Sequence, residues 1–595
     1  MKRFFSFFTI VSLSKRYLLL VATILMGATS YAYNFAVENE DGVTIYYNRI
    51  ADTEVEVTFG TDERYSLPYP AIPYIGIVNL PSEVTYMYVT YKVTRIGDKA
   101  FEYNYDLESV VIPNSVTAIG LNAFHHCNNL KDVEIPNSVT DIGPQAFYYC
   151  QSLKSIRIPN SVTRIGFYAF SSSGLTSVEI SSSLSVIETA VFSGCSLETV
   201  DIPSSVIQIK DRAFSNCHDL KAVSIPNSVA SIGEEAFSEC YALKAVEIPE
   251  LVTTLGNRAF ASCLSLESVK IPSSFTCTGQ GTFYNCHNLT TIDLPNTIKE
   301  IGMSAFYNCY SLMNVNMPNS LIKIDDSAFY GAGLAEVTIP ESITDLGIDV
   351  FRDCKNLVSV SLPNSLTSIA VGTFEGCSSL SSLEIPASVK IIGDYAFGLC
   401  ANLASLEIPA SVTSLGFRAF YGCTSLKHLY IPGSVTSIGA NLFEENGLVN
   451  MDIPNSLTEI SHSMFLGCKD LESVTIPSSI TSIGPSAFYG CSNLTKITSM
   501  LVDPMPLSYK DEVWNGINFN EAILYVPFGT KEKYETTSGW TLFKNIVESY
   551  FATNLSSSIV NDKSVNGKCF DLSGRRLMIL PAKGVYIEDG RKVMR

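Results

Sequence analysis

Six histidines and sixteen cysteines are the side chains of this 595-residue sequence with the most capacity for chemistry. Imidazoles converging with carboxylates or thiolates would hold a metal ion or form an acid–base pair. His125 and His126 are adjacent, while His218, His287, His428 and His462 are scattered along the chain. No H-E-x-x-H, G-x-S-x-G, phosphate-loop or G-x-G-x-x-G dinucleotide pattern stands in a strand-to-helix setting. The Asp325–Asp326 pair reads as solvated turn residues, and no C-x-x-C pair points to a metal. An even cysteine count in an exported chain invites a disulfide framework. Which of these readings holds depends on what positions the side chains.

The positioning element is a repeat. Ile-Pro or a close variant ends at Pro113, Pro136 and Pro159, and recurs to Pro477, with Ser181 standing in once. The period is 23 residues, shortened to 22 in four coils. A second landmark, usually Ala-Phe, runs eighteen times from Phe101 and Phe124 to Phe488. In the unit starting at Leu130, Val133-Glu-Ile135 alternates as a half-buried strand does, and Pro136 ends the strand because it cannot donate to a ladder. Val139 and Ile142 are expected to point inward, and Ala146, Phe147 and Cys150 to fill the core. Gly143 marks a turn slot that is Gly in 13 of 18 coils; Glu188, Lys210, Asp325, Ala370 and Ser461 replace it, so a positive φ is not required there. One coil cannot bury its own apolar side chains, but stacked coils bury one another.

The grid decides the chemistry. Fourteen cysteines stand three residues after the repeat Phe, and stacking at about 4.8 Å holds their β-carbons farther apart than a disulfide prefers. They read as small buried thiols, since Ser173, Ala332 and Asn446 take the same slot in three shortened coils. His218 and His287 fall three coils apart, about 14 Å, too far to share a metal. The expectation is therefore no catalytic residue, no metal and no cofactor.

Columns remain as candidate binding features. The outward strand position carries eight acids in eighteen coils, among them Glu134, Glu179, Asp201, Glu384, Glu407 and Asp452, with Tyr430 between the last two. Lys131, Lys154, Lys221, Lys244 and Lys427 lie three residues earlier and partly answer them. A small-residue column (Ser155, Ser177, Thr199, Ala222) separates the two. The stripe reads either as a charge-balanced soluble face or as a docking face for a basic partner. Tyr284, Tyr307 and Tyr330 form a second strip, read as a structural aromatic ladder or a contact strip. Tyr284, Tyr307, Tyr330, Glu384, Glu407 and Tyr430 are the candidate partner-binding residues.

The repeat pattern over residues 92–499 resembles the BspA-type leucine-rich repeat family of bacterial secreted and cell-surface proteins. The resemblance implies a mainly β solenoid of about eighteen coils with short parallel strands, and a role in adhesion or protein–protein binding. A structural spacer with no specific ligand, and a carbohydrate-binding or carbohydrate-active protein, are the alternatives.

The flanks complete the organisation. Residues 1–32 read as a signal peptide, with Lys2, Arg3, Lys15 and Arg16 ahead of an apolar stretch too short to span a bilayer. Cleavage is expected between Ala32 and Tyr33, removing four positive charges and leaving 36 basic against 58 acidic residues. So acidic a chain disfavours nucleic acid, and no later apolar run reaches a transmembrane length. Residues 33–91 read as a β-rich N-terminal cap and 500–548 as a C-terminal cap plugged by Trp514 and Trp540. Residues 549–562 read as a linker. Residues 563–595, with eight basic and three acidic side chains, resemble the sorting segments of secreted bacterial proteins, with a simple β-hairpin tail as the other reading. Together these predict an exported monomer, secreted or on the cell surface, that meets an extracellular protein.

Overall fold

The computed structural model describes residues 33–60 and 74–551, and the backbone of four short strands between 569 and 594. The proposed signal peptide, Ala32 and most of the proposed linker lie outside the described residues. The chain divides into two compact units, Met1–Val547 and Glu548–Arg595.

The first unit is a parallel β solenoid. Asp132–Glu134 and its equivalents form one ladder, in which Ser155, Ile156 and Arg157 face Ser177, Val178 and Glu179 of the next coil. The middle residue of each triplet points inward and its two neighbours outward, as the pleat requires. A second ladder follows the proline. Asp141–Ile142 pairs in parallel with Ala118–Ile119 on one side and Arg164–Ile165 on the other. Sequence reading places Val139 and Ile142 inward without assigning this strand, and both are fully buried.

A third ladder runs through the turn that carries the Phe. The N–H groups of Gln145, Phe147 and Tyr149 donate to Phe167, Ala169 and Ser171 of the next coil, at 3.0, 2.7 and 3.0 Å. The intervening Ala146 and Tyr148 donate back within their own coil. This alternation places the residues two before and two after each Phe at positive φ, Gln145 at 54° and Tyr149 at 62°. Most such positions carry Lys, Asn, Tyr, Glu, Arg or Ser rather than Gly. The left-handed conformation costs about 1–2 kcal/mol per non-Gly residue, and the inter-coil bonds hold it in place.

The turn slot held by Gly143 has a different cause. Its φ is not in the left-handed region, but a Cβ there would lie 2.6 Å from the Gly120 carbonyl carbon of the preceding coil. Close packing of backbone on backbone selects glycine. Where Glu188 and Lys210 occupy the slot in successive coils, their side chains turn outward and pair at 2.8 Å.

The eighteen Phe rings form one continuous column, adjacent centroids 4.9 Å apart at Phe101–Phe124 and 6.0 Å at Phe260–Phe283. Tyr74 closes the column at one end, 4.8 Å from Phe101, and Trp514 at the other, 4.8 Å from Phe488. Ahead of the coils, Phe35–Glu38, Thr44–Ala51 and Glu54–Thr58 form an antiparallel meander, whose last strand joins the second ladder through Val89–Ile96. After the coils, Lys496–Ser499 pairs in parallel with Ile523–Pro527, and Trp540 packs 5.6 Å from the buried Trp514.

In the second unit, Cys569–Phe570, Arg576–Leu577, Val585–Glu588 and Arg591–Met594 form an antiparallel four-stranded sheet.

Candidate functional site

The cysteine column is built into the core. All fourteen grid thiols are free and buried, from Cys127 and Cys150 to Cys491, and burial pushes each thiol up from its ordinary value. Each Sγ donates to the Phe carbonyl oxygen of the preceding coil, as Cys240 does to Phe214 at 3.3 Å and Cys468 to Phe443 at 2.9 Å. Sequence reading takes this slot as filler; the structure adds a donor role. Asn446, in the same slot, keeps the role by donating to Phe420 at 2.9 Å.

Four of the six histidines, His125, His126, His218 and His287, serve as stacking rings. His218 lies 4.4 Å from Tyr241 and His287 4.8 Å from Tyr310, each across one coil boundary. His125 lies 3.4 Å from Glu102 and packs on Tyr148 at 5.1 Å. Burial, then the neighbouring His126, holds His125 below its ordinary value despite Glu102. Among the described residues, no group of three or more His, Cys, Asp or Glu is arranged to hold a metal ion.

On the sheet face the structure redistributes the charges. Lys131 pairs with Glu108 at 2.9 Å and Lys221 with Glu198 at 2.8 Å, each within the lysine's own column. Lys154 turns to the Gln151 carbonyl, and Lys427 to Asp470 at 2.7 Å. The lysines therefore do not balance the acidic stripe. Within the stripe, Glu179 meets Arg157 at 3.1 Å and Glu247 meets Lys270. Farther along, Glu384 and Glu407 are register partners on paired strands, both exposed, with no ion-pair partner among the described residues. Tyr430, 75% exposed, and the exposed Asp452 follow in the same column. Ser382 and Ser405 flank the two acids and leave the strand backbone open to approach.

The tyrosine strip lies on the turn side. Tyr284, Tyr307 and Tyr330 stack at 4.8 and 4.4 Å and are half-buried. Arg258 covers Tyr284 at 5.7 Å and Arg352 covers Tyr330 at 5.9 Å, so guanidinium groups close both ends of the stack. The Tyr330 hydroxyl donates to Asp353 at 2.9 Å; burial and then this bond push its pKa up to about 12. The strip thus offers a partner ring edges and hydroxyls, its faces being covered. Tyr33, the first described residue, packs on Tyr46 at 4.7 Å.

A stack of 22–23-residue coils with Leu, Ile, Val and Phe buried at fixed positions and parallel strands along one face defines a leucine-rich repeat solenoid. The chain belongs to the BspA-type leucine-rich repeat family, whose model matches residues 94–221, 208–333, 278–404, 322–448 and 390–500. Similar solved structures include a leucine-rich repeat protein from Bacteroides ovatus, 28% identical, covering 82% of this chain and 99% of that one, with a TM-score of 0.38. A leucine-rich cell surface protein from Faecalibacterium prausnitzii is 29% identical, covering 67% of this chain and 94% of that one, with a TM-score of 0.36. A search of curated proteins found no match. Among the described residues, no helix is long and apolar enough to cross a membrane.

Proposed function

We propose that this chain is a non-catalytic binding protein, exported and displayed outside the cell, whose sheet face docks a basic segment of an extracellular protein. The observation that carries this reading is the unpaired run Glu384, Glu407, Tyr430 and Asp452. Two carboxylates held side by side by strand register repel one another, and a cation laid across them relieves that repulsion. Tyr430 adds an amphipathic ring of the kind enriched at interfaces. Membership of a leucine-rich repeat family supports the protein-binding role, and the cell-surface description of the Faecalibacterium prausnitzii relative supports the location.

The test is capture of extracellular and bacterial-surface proteins by the full chain at rising salt, alongside the double variant Glu384→Gln/Glu407→Gln. Binding should weaken steeply with salt and again in the variant. Salt-insensitive binding that the variant leaves intact would sink the acidic docking face.

A further inference from the structure

We propose that the notch beside Tyr310 binds one neutral pyranose residue of a glycan. Three of the four shortened coils carry Gly four residues after the repeat Phe. Gly174, Gly333 and Gly447 sit at these shortenings, and a Cβ on any of them would collide with a carbonyl oxygen of the preceding coil, that of Gln151, Tyr310 or Thr424. Each of these three glycines leaves its coil without a side chain where the preceding coil carries one. Only at Gly333 does the missing side chain uncover an aromatic ring.

Tyr310 stands four residues after its repeat Phe, in the column of His287, Gly333 and Lys355. His287 covers one face of its ring at 4.8 Å. The next member on the other side is Gly333, no further ring stacks on Tyr310 among the described residues, and the residue is 53% exposed. Lys355 lies two coils away, leaving a slot about 10 Å long between it and the open ring face. A saccharide ring in van der Waals contact with the tyrosine occupies about 4 Å of that length, so one ring fits with room for its hydroxyls.

The groove here is about 490 Å³ and is lined by Tyr307, Asn308, Tyr330, Asp353, Lys355 and Asn356 around a floor of Gly331, Ala332 and Gly333. A pyranose presents an apolar C–H face and an equator of hydroxyls, each both donor and acceptor. The tyrosine face suits the former, since its ring carries negative charge density. The surrounding amides, carboxylate, ammonium and phenol suit the latter, supplying both donors and acceptors around the groove. Asp353 and Lys355 offset each other in charge, which favours a neutral sugar over a uronic acid. The site lies on the turn side, away from Glu384 and Glu407, so its failure and the failure of the docking face are separate results.

The experiment is ligand-observed saturation-transfer NMR on the full chain with maltotriose, cellotriose, chitotriose, mannotriose and, as competing chemistries, trigalacturonate and oligo-arginine. At least one neutral trisaccharide should receive saturation, with affinity about tenfold weaker in Tyr310→Ala. Tyr310→Trp, which keeps an open ring face, and Tyr241→Ala, which removes the equivalent ring away from the notch, should both bind as the parent does. Thermal melts of each variant separate lost binding from lost folding. Saturation of no neutral sugar, unchanged binding in a folded Tyr310→Ala, or binding of trigalacturonate or oligo-arginine alone would each overturn the proposal.

Discussion

Fourteen free thiols line the core, and each has a particular partner. Replacing Cys240 by Val adds one methyl group and deletes the donor to the Phe214 carbonyl. That oxygen still accepts the Cys217 N–H at 3.4 Å, so the expected cost is about 1 kcal/mol, read from urea unfolding midpoints. Cys240→Ser keeps a donor, as Asn446 does elsewhere in the column, and should cost less than the Val variant. His125 sets a second expectation. Its folded pKa lies below the unfolded value of about 6.5, so the unfolded chain binds more protons as pH falls through that region. Stability attributable to His125 is complete above about pH 6.5 and declines below it. Melting temperature should therefore drop from pH 7.5 to 5.5, and His125→Tyr, imitating Tyr148 one coil on, should flatten the drop. An unchanged slope would assign the acid sensitivity to other groups.

Within a coil, the first strand was readable because Val133-Glu-Ile135 alternates and Pro136 punctuates it. The second strand is two residues long, too short for a period-two pattern to register. The turn ladder left no mark because its left-handed positions are filled by Gln145, Tyr149, Arg212 or Glu239 instead of the glycines that usually advertise positive φ. The glycines that do recur, such as Gly143, answer to contact between coils. The acidic column was legible by counting, whereas the lysines' choice of partners was not, because it depends on which side chain lies one coil away. These two kinds of glycine predict different mutants. Gly490 has φ of 78°, and its Cβ would meet only ordinary contact, 3.4 Å to Gly467. Gly490→Val should destabilise by about 1–2 kcal/mol through backbone conformation, and Gly490→Asn by much less. Gly143→Ala should cost about 1–3 kcal/mol through overlap with the preceding coil, and Asn there should be worse than Ala. Chemical denaturation of the four variants distinguishes the two causes.

At the scale of the molecule, stability passes from coil to coil, since each coil buries its neighbours and the two ring caps close the column. Trp514→Ala removes the ring lying on Phe488 and should cost about 3–5 kcal/mol locally. Hydrogen exchange should then show the coils nearest residue 488 losing protection first, with those near Phe124 unaffected. Uniform loss of protection along the array would show one cooperative unit instead. The proposed docking run spans the four coils of Glu384, Glu407, Tyr430 and Asp452, so removing a whole coil far from it should leave capture close to that of the parent.

The thiol column also makes the molecule its own strain gauge. A buried thiol is shielded from alkylating reagents until its coil opens, and almost every coil carries one at a known sequence position. Brief exposure to such a reagent, followed by peptide mapping, would record which coils breathe and how often. Three of the four coils without the thiol, those of Ser173, Ala332 and Asn446, divide that record into separate runs. Ser173 and Ala332 flank the segment from Cys195 to Cys309 and bring the notch at Gly333 to its border, so a ligand seated beside Tyr310 would register as slower labelling at Cys309 and Cys354.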